Sequence, residues 1–275
     1  MQDAAPLRRW VFSFDQRAAG WFADMIKVAV VSARAHTSLQ PLCLFDGDQT
    51  PPIISWLERN GVDIVRARVP FRDELFSEAV ISANAGTPYH PEHAAGAFLR
   101  LIAPDYVEED SFLYTDCDVM FCADPLPFFT SPRVLAACPE AATTDGEKGQ
   151  QGFNSGVMIL NSAGFAARRP EMIDLLRRNH FYFRRHQSFD QSMLNLLFRD
   201  DWEPLGEEMN WRPFQGINSR AAILHFHGPK PHRIQAILDG QASADEAQVM
   251  SRLVFDHRLE YDHYLGEYRG FLAAA

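Results

Sequence analysis

The sequence lacks a long apolar run, an excess of basic residues and a dense set of cysteines. No stretch of its 275 residues reaches the roughly 18 uninterrupted apolar residues of a membrane-spanning helix, and residues 1–15 lack the apolar core of a signal peptide. The formal net charge of -10 argues against a general nucleic-acid-binding protein, which needs a concentrated basic surface. The 4 cysteines show no paired metal-ligand spacing. Reduced thiols in a cytoplasmic protein without a transmembrane segment are therefore expected.

With 47% hydrophobic and 12% aromatic residues, the chain can bury a sizeable core, which excludes a disordered protein. Apolar runs that predict strands lie at 10–14, 41–45, 62–69, 111–115, 133–138, 153–160 and 221–226. Helical spacing of apolar residues predicts helices at 21–32, 51–61, 91–103, 164–178 and 188–199. This alternation predicts an α/β protein with a mostly parallel central sheet and helices on both of its faces. We expect a single domain over 1–275, in which about 232–275 form a helical C-terminal extension.

Two Asp-x-Asp pairs follow predicted strands. One is Asp116 and Asp118 in LYTDCDVMF, and the other is Asp46 and Asp48 in LCLFDGDQT. Chance alone gives roughly one or two such pairs in a chain of this composition, so the spacing does not identify a site. In open α/β sheets, however, ligands bind beyond the carboxyl ends of the strands, where both pairs are expected.

The LCLFDGDQT segment resembles the first motif of haloacid-dehalogenase-type phosphatases. In that hypothesis Asp46 is the nucleophile, Asp48 is the general acid and Mg²⁺ bridges them. The family also needs a lysine, and neither Lys148 in a polar loop nor Lys230 after a strand is a convincing candidate. The other interpretation is a turn followed by a helix cap at Thr50, which the composition favours.

Further motifs accompany TDCD in a fixed order. AAGAFLRLIAPDYV (94–107) precedes it, and the motifs that follow are GFNSGVMILN (152–161), FDQSMLNLLF (189–198), LGEEMNW (205–211) and LHFHGPKP (224–231). This ordered set resembles glycosyltransferase family 8, and the resemblance spans about residues 10–231. It implies a GT-A fold and a retaining transferase that moves a hexose from a nucleotide sugar, most simply a UDP-sugar, to an acceptor that the sequence does not identify.

The resemblance implies a divalent-metal site. Asp116 and Asp118 supply oxygens, and His225 supplies a nitrogen from the end of a later strand. Carboxylate with imidazole suits Mn²⁺ better than Mg²⁺, which remains the alternative. Strand alternation would put both aspartates on the same side, and it would do the same for His227, a competitor of His225.

The resemblance also implies a donor site and a catalytic centre. The residues expected to bind the donor are Asp15 near the nucleoside, Arg100, Asn154 and Asp190 near the sugar, and Gly228 and Lys230 with Asp116 near the diphosphate.

Gln191 and Asp190 are the expected catalytic residues. Because an amide is a poor nucleophile, a front-face reaction is expected, in which the Gln191 carbonyl steadies an oxocarbenium-like centre. Two alternatives stay open: the phosphatase, and a sugar-nucleotide-binding protein that has lost its activity.

Overall fold

Short apolar strands alternate with amphipathic helices along the chain. The computed structural model describes residues 7–140, 152–186, 188–241 and 244–275. In chain order its elements are β1 Arg9–Asp15, α1 Trp21–His36, β2 Gln40–Asp46, α2 Pro52–Arg59, β3 Asp63–Arg66, α3 Arg72–Leu75, α4 Glu78–Ala83, α5 Pro91–Phe98, β4 Ser111–Thr115, β5 Val119–Phe121, β6 Leu135–Pro139, β7 Phe153–Asn161, α6 Ser162–Ala167, α7 Arg169–Arg178, α8 Gln191–Leu197, β8 Trp202–Pro204, β9 Ile223–His225, α9 Pro231–Leu238, α10 Ala244–Asp256 and α11 Arg258–Ala273. Short 3₁₀ turns connect several of them, including Leu99–Leu101 directly after α5.

Contacts divide the described part of the chain into two compact units that interleave in sequence. The first draws on Met1–Ala18, Gln40–Thr115 and Phe129–Leu205, and the second on Ala19–Leu39, Asp116–Phe128 and Gly206–Ala275. The expectation of a single domain over 1–275 stays a prediction.

The first unit is built on a seven-stranded sheet, counted over the described residues, with the order β3-β2-β1-β4-β7-β6-β8. Strands β1 to β4 are parallel to one another, β7 is antiparallel to both β4 and β6, and β6 is parallel to β8. Strand β7 alone therefore runs against the rest, which confirms the prediction of a mostly parallel sheet. Buried side chains from β1, β2, β4, β6 and β7 and from α3 to α8 form one hydrophobic core, which stabilises the sheet by removing apolar surface from water.

The second unit packs helices around a small two-stranded sheet, β5-β9. The Ser32 hydroxyl of α1 accepts a hydrogen bond from the backbone N–H of Phe121 in β5 at 3.0 Å. The ring of Phe226, which follows β9, lies edge-on to that of Tyr268 in α11, with centroids 5.6 Å apart. Helices α1 and α11 thus pack against the β5-β9 segment, which carries His225 at the end of β9.

The predicted elements differ from the observed ones at helix ends, and the short helices α3 and α4 were not predicted. The helix predicted over 164–178 is two helices, α6 and α7, since Pro170 opens α7 and has no N–H to continue α6. The helix predicted over 91–103 ends at Phe98 and tightens into a 3₁₀ turn that contains Arg100. Strands β5 and β8 were missed, because three residues are too few to show a period. Of the helices described, none is long and apolar enough to cross a bilayer.

Candidate functional site

A cluster of three potential metal ligands lies in the second unit. Strands β5 and β9 are antiparallel with Val119 opposite His225, and the N–H of Phe226 donates to the carbonyl oxygen of Asp118 at 2.9 Å. This pairing puts the side chains of Asp118 and His225 side by side. One ligand atom each from Asp116, Asp118 and His225 lies within 4.8 Å of the other two.

The two aspartates converge by a different geometry from the one expected. Strand β4 ends at Thr115 and β5 begins at Val119, and the chain bends at Cys117 and Asp118. Strand alternation therefore does not orient the pair, since Asp116 and Asp118 are not in a strand. Their carboxylates are nevertheless close enough to share one cation.

The donor set fits a divalent cation. His225 Nδ1 lies 3.0 Å from Asn210 Oδ1, and because an amide oxygen can only accept, a hydrogen bond between them requires the tautomer with the proton on Nδ1. The other nitrogen, Nε2, lies 3.3 Å from Asp118 Oδ1. Two lone pairs would face each other there unless a proton or a cation lies between them. A ligating histidine commonly donates its second N–H to a neighbouring oxygen in this way.

The competitor His227 is placed differently. Its ring centroid is 5.5 Å from that of His225, and it does not belong to the group of close ligand atoms found among the described residues. The geometry favours His225.

Lys230 approaches the same carboxylate from the start of α9. Its ammonium group donates to Asp118 Oδ2 and, at 3.0 Å, to the carbonyl oxygen of Phe226. The turn that brings it there contains Gly228 with φ of 93°, a conformation that favours glycine. Burial of Asp118 disfavours its charged form, but Lys230 and His225 outweigh that cost and hold the pKa of this carboxyl well below its usual range.

A second cluster, in the first unit, is centred on a buried arginine. Arg100 Nη1 lies 2.7 Å from Asp190 Oδ2 and donates to the carbonyl oxygen of Ser155 at 3.0 Å. Its guanidinium carbon lies 4.8 Å from the centre of the Tyr114 ring. The Tyr114 hydroxyl is in turn 2.6 Å from that of Ser13 in β1. Residues of β1 and β4 thereby fix the arginine that the family motif singled out.

A register shift in β7 explains why Gln191 and Asn154 join this cluster. Ala137 of β6 faces Met158, but the next residue, Cys138, faces Asn154, and the last pair with β4 is at Val157. In the described ladders, Ser155 and Gly156 consequently have no facing residue. Side chains bind their backbone groups instead, as backbone polar groups in a buried place require.

The Gln191 carbonyl accepts from the N–H of Ser155 at 3.1 Å, and the Asn154 carbonyl accepts from that of Gly156 at 3.0 Å. Both amides then turn their NH₂ groups to Glu140. Gln191 Nε2 donates to Glu140 Oε2 at 2.8 Å, and Asn154 Nδ2 donates to the same oxygen at 3.2 Å.

Glu140 is the residue that the sequence motifs missed. It directly follows β6, whose last residue is Pro139. The rule that ligands bind beyond the carboxyl ends of strands could have selected it, since the strand at 133–138 was predicted.

Asp15 ends β1, as expected, but its carboxylate is engaged by its neighbour. The Arg17 side chain donates to both oxygens, at 2.8 and 2.9 Å. Burial opposes ionisation of Asp15, yet these hydrogen bonds lower its pKa. A nucleoside in contact with Asp15 would therefore meet an ion pair and not an isolated carboxylate.

The other Asp-x-Asp pair is divided between two environments. Asp46 is buried, and both of its oxygens lie 3.0 Å from Arg72 Nε, whereas Asp48 is exposed and pairs with Arg68. Burial raises the pKa of Asp46, although Arg72 opposes this shift. The pair does not form part of a three-ligand cluster among the described residues, and Lys148 lies outside them. This arrangement favours the turn interpretation, but the predicted helix cap at Thr50 is wrong: the N-cap of α2 is Pro51, and the Thr50 hydroxyl accepts a hydrogen bond from Arg66.

The family model of glycosyl transferase family 8 matches residues 21–233. The chain belongs to this family. Glycosyltransferase GlyE of Streptococcus pneumoniae TIGR4 is 32% identical over 200 residues, which cover 70% of this chain and 45% of GlyE. Glycosyltransferase GlyA of the same organism is 33% identical over 149 residues, which cover 50% of this chain and 21% of GlyA. The chain thus spans less than half of the length of either relative.

Solved structures share the fold. The apo form of GlyE superposes with a TM-score of 0.59 at 21% identity, covering 91% of this chain and 63% of that one. The galactosyltransferase LgtC in complex with donor and acceptor sugar analogs gives 0.59 at 18% identity, covering 96% and 99%. The chain has the GT-A fold, as the ordered motifs predicted.

Proposed function

We propose that this chain is a retaining, metal-dependent glycosyltransferase that moves a hexose from a nucleotide sugar, with UDP as the nucleotide and Mn²⁺ as the metal. Family membership supports glycosyl transfer. The single observation that carries the metal and the donor diphosphate is the convergence of Asp116, Asp118 and His225, with the Lys230 ammonium on the same carboxylate.

The chemistry of this group suits a diphosphate leaving group. A bound divalent cation would offset the negative charge that develops as the glycosidic bond breaks. Asp116, Asp118 and His225 would hold it, and Asn210 orients the imidazole. Lys230 would add a positive charge for the diphosphate after the turn at Gly228.

The cluster in the first unit suits the sugar. Arg100 holds Asp190 by an ion pair of 2.7 Å, and a carboxylate oriented in this way can accept hydrogen bonds from sugar hydroxyls. Asn154 and Gln191 contribute amides beside it, and Asp15 is assigned to the nucleoside. Retention follows from the family resemblance, which puts an amide where a double displacement would need a carboxylate. A cytoplasmic location and the absence of nucleic-acid partners belong to the same proposal.

A thermal-shift titration tests the donor and the metal together. UDP, GDP and CDP are each added with and without Mn²⁺ to the wild-type chain and to Asp118→Ala. A ligand at 100 times its dissociation constant stabilises a protein by about 2.7 kcal/mol. We expect a shift that needs UDP, Mn²⁺ and Asp118 at once. Asp48→Ala, which removes the exposed second aspartate of the other pair, is the matched control and should keep the full shift.

Other outcomes separate the alternatives. Nucleotide binding without release of UDP from any UDP-hexose would favour the inactive binding protein. No nucleotide response, together with Mg²⁺-dependent phosphate-ester hydrolysis that Asp46→Asn abolishes, would refute the proposal and favour the phosphatase.

A further inference from the structure

We propose that Arg17, together with Asp15, recognises the base of the donor nucleotide and selects uracil over cytosine. The inference deepens the proposed function and rests on it, because that function needs a nucleotide sugar. The family resemblance assigns Asp15 to the nucleoside and gives no role to Arg17. Arg17 becomes a residue that determines which nucleotide the chain accepts.

The order of the strands indicates a ligand site at the end of β1. The chain adds β2 and β3 on one side of β1 and then places β4 on its other side, in the order β3-β2-β1-β4. Open α/β sheets bind ligands outside the carboxyl ends of the strands, at the point where the strand order reverses in this way. Strand β1 ends at Asp15. The topology of the first unit therefore predicts a ligand beside Asp15, independently of the motifs.

The backbone around Asp15 is closely packed. A Cβ on Gly96 of α5 would lie 3.1 Å from the backbone nitrogen of Asp15 and 3.2 Å from its Cβ, so the helix packs directly against this residue. The turn after β1 is closed by the N–H of Ala18, which donates to the carbonyl oxygen of Asp15 at 3.2 Å. Packing and a hydrogen-bonded turn thus hold the segment that carries Asp15 and Arg17.

The two side chains form a bidentate ion pair. Oδ1 of Asp15 accepts from the backbone N–H and from Nε of Arg17, both at 2.8 Å, and Oδ2 accepts from Nη2 at 2.9 Å. Two parallel bonds between a carboxylate and a guanidinium group fix their relative orientation. The side chain of Asp15 is 14% exposed and that of Arg17 is 40% exposed. A ligand can therefore reach a pair whose geometry is already set.

The edge of this pair presents an acceptor beside a donor. Oδ2 has a second lone pair besides the one that Nη2 uses, and the guanidinium group has N–H bonds besides the two that Asp15 accepts. Uracil carries the complementary pattern, since its N3–H donates and the carbonyl oxygen next to it accepts.

Cytosine does not match this edge. Its N3 is an acceptor and its amino group is a donor, so Oδ2 would face the lone pair of N3. Polar groups that are left without a partner cost binding free energy. Guanine has the pattern of uracil along N1–H and O6, so the pair discriminates against cytosine and not against guanine.

The test measures the preference for UDP over CDP, each titrated with Mn²⁺ by thermal shift against the wild type and Arg17→Met. We expect the wild type to prefer UDP and this preference to fall about 10- to 100-fold in Arg17→Met, the usual effect of losing one specific base contact. A merely structural role of Arg17 would weaken both nucleotides equally and leave their ratio unchanged. Arg9→Met is the matched control, because Arg9 begins the same strand and pairs with Asp63 at 2.8 Å. It should keep the wild-type ratio.

A second variant tests the acceptor half of the pair. Asp15→Asn keeps the size of the side chain and replaces one carboxylate oxygen with an NH₂ group, which donates. The preference for UDP over CDP should fall as it does in Arg17→Met. The double variant should lower it no further, since both changes remove the same contact.

Two results would overturn the inference. Equal affinity of the wild type for UDP and CDP would show that the base is not selected in this way. A preference of Arg17→Met within about twofold of the wild type would show that Arg17 does not select it. A wild-type chain that binds no nucleotide with Mn²⁺ would instead refute the proposed function itself, so the two failures are distinguishable.

Discussion

Replacing Lys230 with methionine measures how much the ammonium group of Lys230 contributes to the stability of the chain through the metal cluster. Lys230→Met keeps an unbranched apolar stem and removes the ammonium that binds Asp118. The buried carboxylate is then left with His225 as its remaining partner in the cluster. Without metal, we expect the folded chain to be less stable, because a buried charge has lost its compensation.

The magnitude follows from the exposure of the two partners. Breaking a fully buried ion pair costs about 3–5 kcal/mol. The side chain of Lys230 is 30% exposed and that of Asp118 only 10%, so solvent screens part of the pair, and His225 compensates for more. We expect a loss of about 2 kcal/mol, which lowers the melting temperature of a chain of this size by roughly 4–8 °C.

Lys27→Met is the matched control in the same unit. Lys27 pairs with Asp24 at 3.1 Å and is also 30% exposed, but its partner is 38% exposed. The two variants lose the same group at the same exposure, so they differ in the burial of the carboxylate left behind. Surface pairs contribute about 0–1 kcal/mol, and Lys27→Met should lie at the lower end of that range.

Lys230→Met should affect metal binding in the opposite sense to its effect on stability. Lys230 binds Asp118 Oδ2, whereas Asp118 Oδ1 faces His225 Nε2, so the ammonium group repels a cation that binds the same carboxylate. Lys230→Met should therefore bind Mn²⁺ more tightly in the absence of nucleotide and show a larger metal-induced thermal shift. Its affinity for UDP with Mn²⁺ should fall, since the diphosphate loses a cationic partner.

The pH dependence has a defined sign. The pKa of Asp118 is lowered in the folded chain, so its ion pair stabilises the fold above the ordinary carboxyl pKa of about 4 and loses this effect as the pH falls further. The gap between wild type and Lys230→Met should persist at pH 5 and shrink below about pH 4. If Lys230→Met is no less stable than Lys27→Met at pH 7, the reasoning is wrong.

Two further changes have expected outcomes in urea denaturation at pH 7. Asp46→Asn should cost less than about 1 kcal/mol, because burial raises the pKa of Asp46 despite Arg72 and the neutral side chain avoids that cost; a larger loss would mean that the ion pair outweighs the burial. Gly164→Ala should destabilise the chain by about 1–3 kcal/mol, since its Cβ would lie 2.1 Å from the carbonyl oxygen of Arg133. Gly266→Ala in α11, where a Cβ meets nothing within 4 Å, should instead stabilise it by about 0.5–1 kcal/mol, and equal effects of the two glycine changes would contradict the packing.

The sheet was predictable where a strand is long and buried. FNSGVMILN became β7, whose first eight residues are all buried, and WVFSF and PLCLF became most of β1 and β2. Hydrophobic pattern is strong in such segments, because both faces of the sheet are covered. Three-residue strands such as β5 were not predicted, because their hydrophobic pattern is too short. Their place depends on the partner strand, and a pattern of three residues does not identify that partner.

The metal cluster was expected from motifs, and the structure brings its members together by a route that the motifs do not contain. Asp118 and His225 are 107 residues apart in sequence, and their contact depends on the pairing of Val119 with His225 in two strands of three residues each. The order of the motifs indicates this contact only indirectly, because it points to a fold in which the strands that carry the two residues are paired. Strand alternation predicted that the two aspartates lie on the same side, and their carboxylates do lie close together. Alternation is not the cause, since Asp118 lies in a bend and not in a strand.

Glu140 shows the limit of transferring residues one at a time. Gln191 was assigned from its place in FDQSMLNLLF, but what a side chain amide can do depends on which of its two ends is already bound. Ser155 takes the carbonyl and leaves the NH₂ group for Glu140, and both contacts depend on the register shift between Ala137 and Cys138. A sequence motif specifies the amide but not its orientation, because the orientation is set by a neighbouring strand. The amide that the motif identified thus donates a hydrogen bond to a carboxylate that no motif contained.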